Sequence, residues 1–306
     1  MGNKKTVYDV VTDRFLAQLK DGIVPWKKPW ISVAGERVGG WSHKTGESYS
    51  ILNQMMLPAE GEYITYKQLM QEGGQLKEAA QGYPICFWKS FKTTAKDPDT
   101  NVEEEKYIPV LRYYTVYRVE DCEGIAYHYK PDSSLLDELT EPERFDNAEA
   151  TAKTYLDNSG VRLNFSAGNK ACYIPLYDEV RMPLRKQFSG SAEYYSTLFH
   201  ELTHSTGHRG RLNRLGTGTS KRGHSYSLEE LVAEIGAAAI LYKLGIETQG
   251  SIENSNAYLQ SWYATLSNDS RMIVKASARA QKAVRYIFGD ESVSPCKDWK
   301  ACKESA

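Results

Sequence analysis

The chain has 306 residues, with 38 Lys+Arg against 39 Asp+Glu, a formal net charge of −1 and 41% hydrophobic residues. That length suffices for two domains with their own cores, and the charge balance excludes a protein held to its partners by bulk electrostatics. Five cysteines without a CxxC pair exclude a disulfide framework, and no apolar run is long enough for a bilayer, so the expectation is a cytoplasmic protein with reduced thiols and no membrane partner.

Residues 6–21 read as an amphipathic helix. Thr6 can cap it, Val7, Val11 and Phe15 share a face with Leu19 beside them, and Gly22 ends it. Pro25-Trp26-Lys27-Lys28-Pro29-Trp30 follows, and its prolines keep it out of helix and sheet. Tryptophan faces interleaved with ammonium groups are what a sequence-tolerant groove for single-stranded nucleic acid uses. Trp26, Lys27, Lys28 and Trp30, with Tyr49 downstream, are therefore candidate contacts to single-stranded DNA (ssDNA); the competing reading places the tryptophans in the core.

Turns at Gly39-Gly40 and Thr45-Gly46 lead to a short strand or helix from Tyr49 and to a helix over Tyr63–Glu72. Tyr83–Trp88 reads as a strand, Lys92–Lys106 as a polar loop, and Tyr107–Val119 as the strongest strand signal, rich in aromatic and β-branched residues. Helix and antiparallel strands make an α+β unit over residues 1–130. Residues 131–150, with seven acids, one base and two prolines, read as an acidic linker that merges into a helix over Ala148–Leu156.

In the second half, strands are expected at Val161–Phe165, Ala171–Ile174 and Glu179–Met182, followed by a helix through SAEYYSTLFHELTHSTGH. Leu198, Phe199 and Leu202 form its apolar stripe, Ser189 or Ser191 can cap it, and Gly207 can end it. Within it, His200-Glu201-Leu202-Thr203-His204 is an HExxH pattern. The histidines lie one turn apart on one face and can reach one metal ion, while Glu201, rotated by about a hundred degrees, borders the ion's open side. This is the pattern of a catalytic zinc site with Glu201 as general base.

A third ligand is needed. His208 lies about 6 Å of axial rise beyond His204 and fits poorly. Glu230, in the second helix SLEELVAEIGAAAILYKLG, is the better candidate. Glu230-Leu-Val-Ala-Glu234 resembles the Glu-x-x-Ala-Asp/Asn element of gluzincin-type peptidases, which would make Glu230 a metal ligand and Glu234 the residue that orients a ligand histidine. The alternative is that Ser227 and Glu230 form a capping box, with Glu234 as substitute ligand. Tyr226 or His224 could steady an oxyanion. Between the two helices, the Gly-rich loop 208–224 carries five Arg/Lys and no acid, solvated or phosphate-facing. The last helix sets Arg271, Lys275, Arg279, Lys282 and Arg285 on one outer face.

Together the motifs VTDRFLAQLKDGIVPWKKPW, TGESYSILN, YITYKQLMQEGG, LRYYTVYRVED, DEVRMP, STLFHELTHSTGH, SLEELVAEIGAAAI and NAYLQSW resemble the ArdC-like antirestriction proteins of conjugative elements over residues 6 to 288. The chain departs from that family at Lys77–Gly82, where a more basic turn is usual, and at Ser205, where an aromatic is usual. The resemblance implies an α+β protein: an N-terminal ssDNA-binding domain, then a zincin-like, gluzincin-type metallopeptidase domain over residues 151–290 and a tail from 291. It also implies zinc held by His200, His204 and Glu230, ssDNA and a protein or peptide of the host restriction system as partners, and protection of incoming DNA as the role. The alternative is a non-catalytic ssDNA-binding accessory of conjugation in which zinc is structural.

Overall fold

In the computed structural model, residues 5–27, 39–96, 103–129, 141–166, 170–215, 224–246 and 256–290 are described. Helix α1 (Val7–Lys20) starts where Thr6 and Asp9 cap each other reciprocally, and buries Val11, Phe15 and Leu19. A 3-10 turn at Pro25–Lys27 follows. Then come β1 (Gly40–Ser42), α2 (Ile51–Met56), β2 (Gly61–Thr65), α3 (Tyr66–Gln71), β3 (Gln75–Leu76), β4 (Tyr83–Lys96), β5 (Glu103–Arg118) and β6 (Cys122–Glu123). The helix expected over Tyr63–Glu72 is shorter: Tyr63-Ile64-Thr65 belong to β2, because Thr65 and Gln68 form a capping box that starts the helix only at Tyr66.

The first sheet has the order β1-β2-β5-β4, with β1 parallel to β2 and the other pairs antiparallel. β2 covers β5 only at Val116–Arg118, whereas β4 and β5 pair from Tyr83↔Val116 out to Lys96↔Glu103. The hairpin therefore projects from the sheet as a two-stranded ribbon. Lys92–Lys96 and Glu103–Lys106, expected in a loop, extend that ribbon. Pro84 sits on the edge strand and Pro109 on the uncovered stretch of β5, where neither interrupts a second ladder.

In the second half, α4 (Glu141–Ser159) precedes a three-stranded sheet of β7 (Arg162–Ser166), β9 (Glu179–Pro183) and β8 (Cys172–Ile174), in that order across the sheet. β7 runs parallel to β9, and β8 is the antiparallel edge strand. Helices α5 (Ser191–Thr206), α6 (His224–Lys243), α7 (Asn256–Asn268) and α8 (Met272–Ile287) complete the fold. Residues 141–150 of the expected linker are the first half of α4, whose Ala148 and Ala152 are fully or nearly buried beneath α5. α8 buries Ile273, Val274, Ala276, Ala280 and Ile287 and keeps its four basic residues, with Arg271 at its cap, exposed, as its spacing predicts. None of the described helices is long and apolar enough to cross a membrane.

One core joins the two halves. Val11, Phe15 and Leu19 of α1, Trp26, and Met55 and Met56 of α2 pack in the same cluster as Leu231, Val232 and Ile235 of α6, Leu266 of α7 and Ile273 of α8. Polar ties cross the same seam: Thr12 Oγ1 donates to the Ser270 carbonyl at 2.8 Å, the Ile51 N–H to Gln281 Oε1 at 2.9 Å, and the Tyr242 hydroxyl to Glu60 at 2.6 Å.

Trp26 corrects the expectation built on the tryptophan stretch. It is 4% exposed, edge-on to Trp262 at 5.6 Å between centroids, so its face is a core contact and offers nothing to a base. Tyr49 is half-buried, packs edge-on to Tyr63, and its hydroxyl is engaged by Tyr114 and Ser42. The Lys27 side chain, Lys28 and Trp30 lie outside the described residues.

Candidate metal centre

Helix α5 is anchored by Tyr194, Tyr195, Leu198, Phe199 and Leu202, all at most 3% exposed, which turn the opposite edge of the helix toward α6. Its cap is Gly190, with no side-chain bond, in place of the expected Ser189 or Ser191. His200 and His204 stand one turn apart, Nε2 to Nε2 at 3.2 Å. α6 approaches closely because residue 236 is glycine: a Cβ there would lie 2.6 Å from Thr203 Cγ2.

α6 begins at His224, so Ser227 lies inside the helix and Glu230 is not spent on closing its start. The Glu230 carboxylate instead reaches across, 3.6 Å from His200 Nε2 and 3.5 Å from His204 Nε2. Three donors converge, each within 4.8 Å of the others, at separations expected between ligands around a four-coordinate ion with bonds of about 2.0–2.1 Å. Two imidazoles and one carboxylate are a donor set that fits a divalent cation.

The electrostatics agree. Burial works against the charged forms of His200 and Glu230, but their mutual hydrogen bond and the neighbouring charges outweigh it. The His200 pKa is raised, with Glu234 and Glu201 contributing, and that of Glu230 is lowered, with His204 contributing. The site is electronegative and built to hold positive charge.

Glu201 is 7% exposed, and one of its oxygens accepts the backbone N–H of Tyr173 on β8 at 2.7 Å. Tyr173 is itself fixed, since its hydroxyl donates to Asp178 at 2.7 Å and accepts from Arg211 at 3.1 Å. Arg211, 4% exposed, also binds Asp178 and the Ser205 carbonyl. Ser205, at the position where the family resemblance leads one to expect an aromatic, is buried and shares a 2.7 Å hydrogen bond with Tyr155.

A further carboxylate was missed by sequence reasoning. Glu229 Oε1 lies 3.5 Å from His204 Nδ1, and Arg214 grips both Glu229 oxygens at 2.8 and 3.2 Å. The Arg214 guanidinium also donates to Thr206 Oγ1 and the Thr203 carbonyl. Burial alone would raise the Glu229 pKa, but hydrogen bonds to His204 and Arg214 hold it below the usual value. No spacing in the sequence announces this pair, because Arg214 sits in a basic loop that reads as solvated or phosphate-facing. Glu234, the expected orienter, adds its charge near His200 and beside Tyr258. His208 lies apart from the donor cluster and accepts the Gly210 N–H. Tyr226, 42% exposed, hydrogen-bonds Glu230; the His224 side chain lies outside the described residues.

A second surface stands out on the β4–β5 ribbon. On one face Phe87, Lys89 and Phe91 oppose Arg112, Val110 and Ile108, all exposed. Lys89 and Arg112 lie 5.3 and 5.2 Å from the Phe91 centroid, and Phe87 packs against Tyr114. The other face shows Trp88 at 51% and Tyr107 at 64% exposure.

Comparison with known proteins places these features in context. Residues 5–117 match the family described as the N-terminal domain of the anti-restriction factor ArdC, and residues 150–279 match the zincin-like metallopeptidase family. A crystal structure of the antirestriction protein ArdC from plasmid R388, metal-free, is 31% identical with a TM-score of 0.68, covering 92% of this chain and 97% of that one. The Mn(II)-bound structure of the same protein is 30% identical with a TM-score of 0.68, covering 94% and 100%. The DNA primase TraC of Escherichia coli is 31% identical over 298 residues, 95% of this chain. The chain spans only 20% of that relative's length, and 27% of a second TraC.

Proposed function

The chain belongs to the ArdC antirestriction family, and on that premise we propose that it binds ssDNA and carries a zinc-dependent peptidase site that together protect incoming DNA from restriction. The observation that carries the hydrolytic part is the convergence of His200, His204 and Glu230 with the Glu201 carboxylate held beside them. These three residues would hold the zinc ion; when bound, it supplies Lewis acidity toward a carbonyl oxygen and toward water. Mn(II) is bound in the R388 relative, which supports a divalent ion in this chain.

Glu201 is the general base. The Tyr173 N–H occupies one of its oxygens and orients the carboxylate, leaving the other to take a proton from the attacking water and pass it to the leaving amine. The proposed substrate is an extended polypeptide. β8 is an edge strand with no strand on its outer side among the described residues, so a peptide can add to it beside Glu201. The Arg211–Asp178–Tyr173 network holds that strand, so the base and the peptide track share one support.

For ssDNA we place the contact on the ribbon, where exposed rings alternate with Lys89 and Arg112, and not on the buried Trp26.

The test is Glu201→Gln in the full chain. The amide keeps the bond to Tyr173 N–H but cannot accept the proton, so metal content and ssDNA affinity stay while peptide cleavage disappears. Cells carrying the variant should lose protection of unmodified DNA. Full protection with cleavage abolished would overturn the hydrolytic reading and leave the zinc site a binding or structural role.

A further inference from the structure

A second convergence of histidines and carboxylates lies in the N-terminal half, remote in sequence from the HExxH helix. His43, in the turn after β1, is 1% exposed, and its Nδ1 faces the buried Glu62 carboxylate. The Glu62 oxygens also accept the backbone N–H of His128 at 3.0 Å, that of Tyr129 at 2.8 Å and Trp41 Nε1 at 3.4 Å. With these donors on its oxygens Glu62 acts as an acceptor toward His43 as well, so His43 carries a proton on Nδ1 and turns its Nε2 away from Glu62.

That nitrogen points at another acceptor. Glu72 Oε2, at the C-terminal cap of α3, lies 2.9 Å from His43 Nε2. His128 stacks on His43 with centroids 3.8 Å apart, and its Nδ1 lies 3.1 Å from the His43 carbonyl. That contact puts the His128 proton on Nδ1 as well, leaving its Nε2 as a lone pair 3.9 Å from the same Glu72 oxygen. Two imidazole nitrogens and a carboxylate oxygen thus lie close together. A proton on His43 would satisfy His43 and Glu72 and leave the half-exposed His128 Nε2 to solvent, whereas a cation would engage all three.

We propose that His43, Glu72 and His128 form a second divalent-metal site, of the zinc class, with Glu62 fixing His43 from behind. Two imidazoles and one carboxylate are a borderline donor set, and each histidine has its other nitrogen tied to a carboxylate or a carbonyl, as metal-ligating histidines do. The rings are stacked, planes 23° apart and centroids 3.8 Å apart, so their Nε2 lone pairs run side by side; the half-exposed His128 has to swing out of the stack to share an ion with buried His43, which stays in place. The ion would tie three separate stretches together: the turn after β1, the end of α3 and the segment after β6. It cross-links the N-terminal half without contributing to the HExxH chemistry.

The experiment uses the full chain, stripped with chelator and titrated with zinc. Wild type should bind about two equivalents, and His204→Ala and His128→Ala about one each. The double variant should bind none. Cobalt(II) loaded into His204→Ala should give visible d–d absorption that disappears on adding His128→Ala or Glu72→Gln. His128 and Glu72 are surface-accessible, so circular dichroism should report folded variants, and zinc should raise the Tm of His204→Ala but not of the double variant. If His204→Ala binds no zinc, or if His128→Ala leaves wild-type stoichiometry unchanged, the cluster is a proton-bridged structural pair and the proposal fails. Failure there leaves the HExxH site untouched, because its occupancy is read separately in His128→Ala.

Discussion

At the scale of single residues, the decisive contacts are the ones that hold a proposed metal ligand from behind. Glu229 faces His204 Nδ1 and is itself clamped by Arg214, so it fixes the ring whose Nε2 meets His200 and Glu230. Removing such a partner costs roughly 10–100-fold in metal affinity. Glu229→Ala should therefore weaken zinc binding by about that factor in a chelator competition, while leaving the ssDNA affinity unchanged. An unaltered zinc affinity would mean that Glu229 serves only Arg214. The HExxH pair was legible in the sequence because its geometry is local to one helix. Glu229 and Arg214 were not, since fifteen residues and a loop separate them and nothing in their spacing marks an approach. Trp26 misled for a related reason. Proline, tryptophan and lysine in alternation describe a nucleic-acid groove and a plugged core equally well, and only the position of Trp262 decides between them.

At the scale of elements, the strands of the second sheet fell within a residue or two of their expected bounds, because β7 and β9 alternate polar and apolar residues and the short β8 lies between turn residues. The ribbon was read less well. Lysines and threonines over residues 92–96 look like a loop, yet the pairing with β5 carries them on as strand. Its exposed rings make a direct prediction. Phe91→Ala and Trp88→Ala should each cost on the order of 1–3 kcal/mol in ssDNA affinity, measured by fluorescence anisotropy, with melting curves unchanged. Wild-type affinity in both variants would move the DNA site elsewhere. The turn between β8 and β9 carries another. Asp178 has φ +48, and burial would raise its pKa, but the Arg211 guanidinium and the Tyr173 hydroxyl lower it below 3.8. A carboxyl with a depressed folded-state pKa adds stability above its unfolded pKa and loses it as pH falls through the folded value. Asp178→Asn should therefore melt earlier than wild type at pH 7, with the gap closing as pH drops below about 4. A gap independent of pH would show that the contribution is one of shape alone.

At the scale of the whole molecule, the core crosses from one half of the chain to the other. α1 rests on α7 and α8, and α2 lies between β4 and α8. A segment 1–130 expressed alone would expose Val11, Phe15, Leu19 and Trp26, which together lose about 1.5–3 kcal/mol of burial apiece. It should be aggregated or unfolded by circular dichroism, whereas the full chain melts in one transition; a folded, ssDNA-binding fragment would refute the shared core. None of this could be read from the sequence. Periodicity tells which face of α1 is apolar but not that its partner lies most of the chain away.

That partnership also has a consequence in time. Thr12 and Ser270, which hydrogen-bond in the finished protein, are 258 positions apart. At a synthesis rate of about 5–20 residues per second, α1 leaves the ribosome roughly 13–50 seconds before the surface it will cover exists. Throughout that interval the part of its apolar face that α7 and α8 cover lacks its native partner. Nascent chains of this protein should accordingly be held by a chaperone at α1 until α8 emerges, and a stop codon placed after α6 should convert a well-behaved product into an insoluble one.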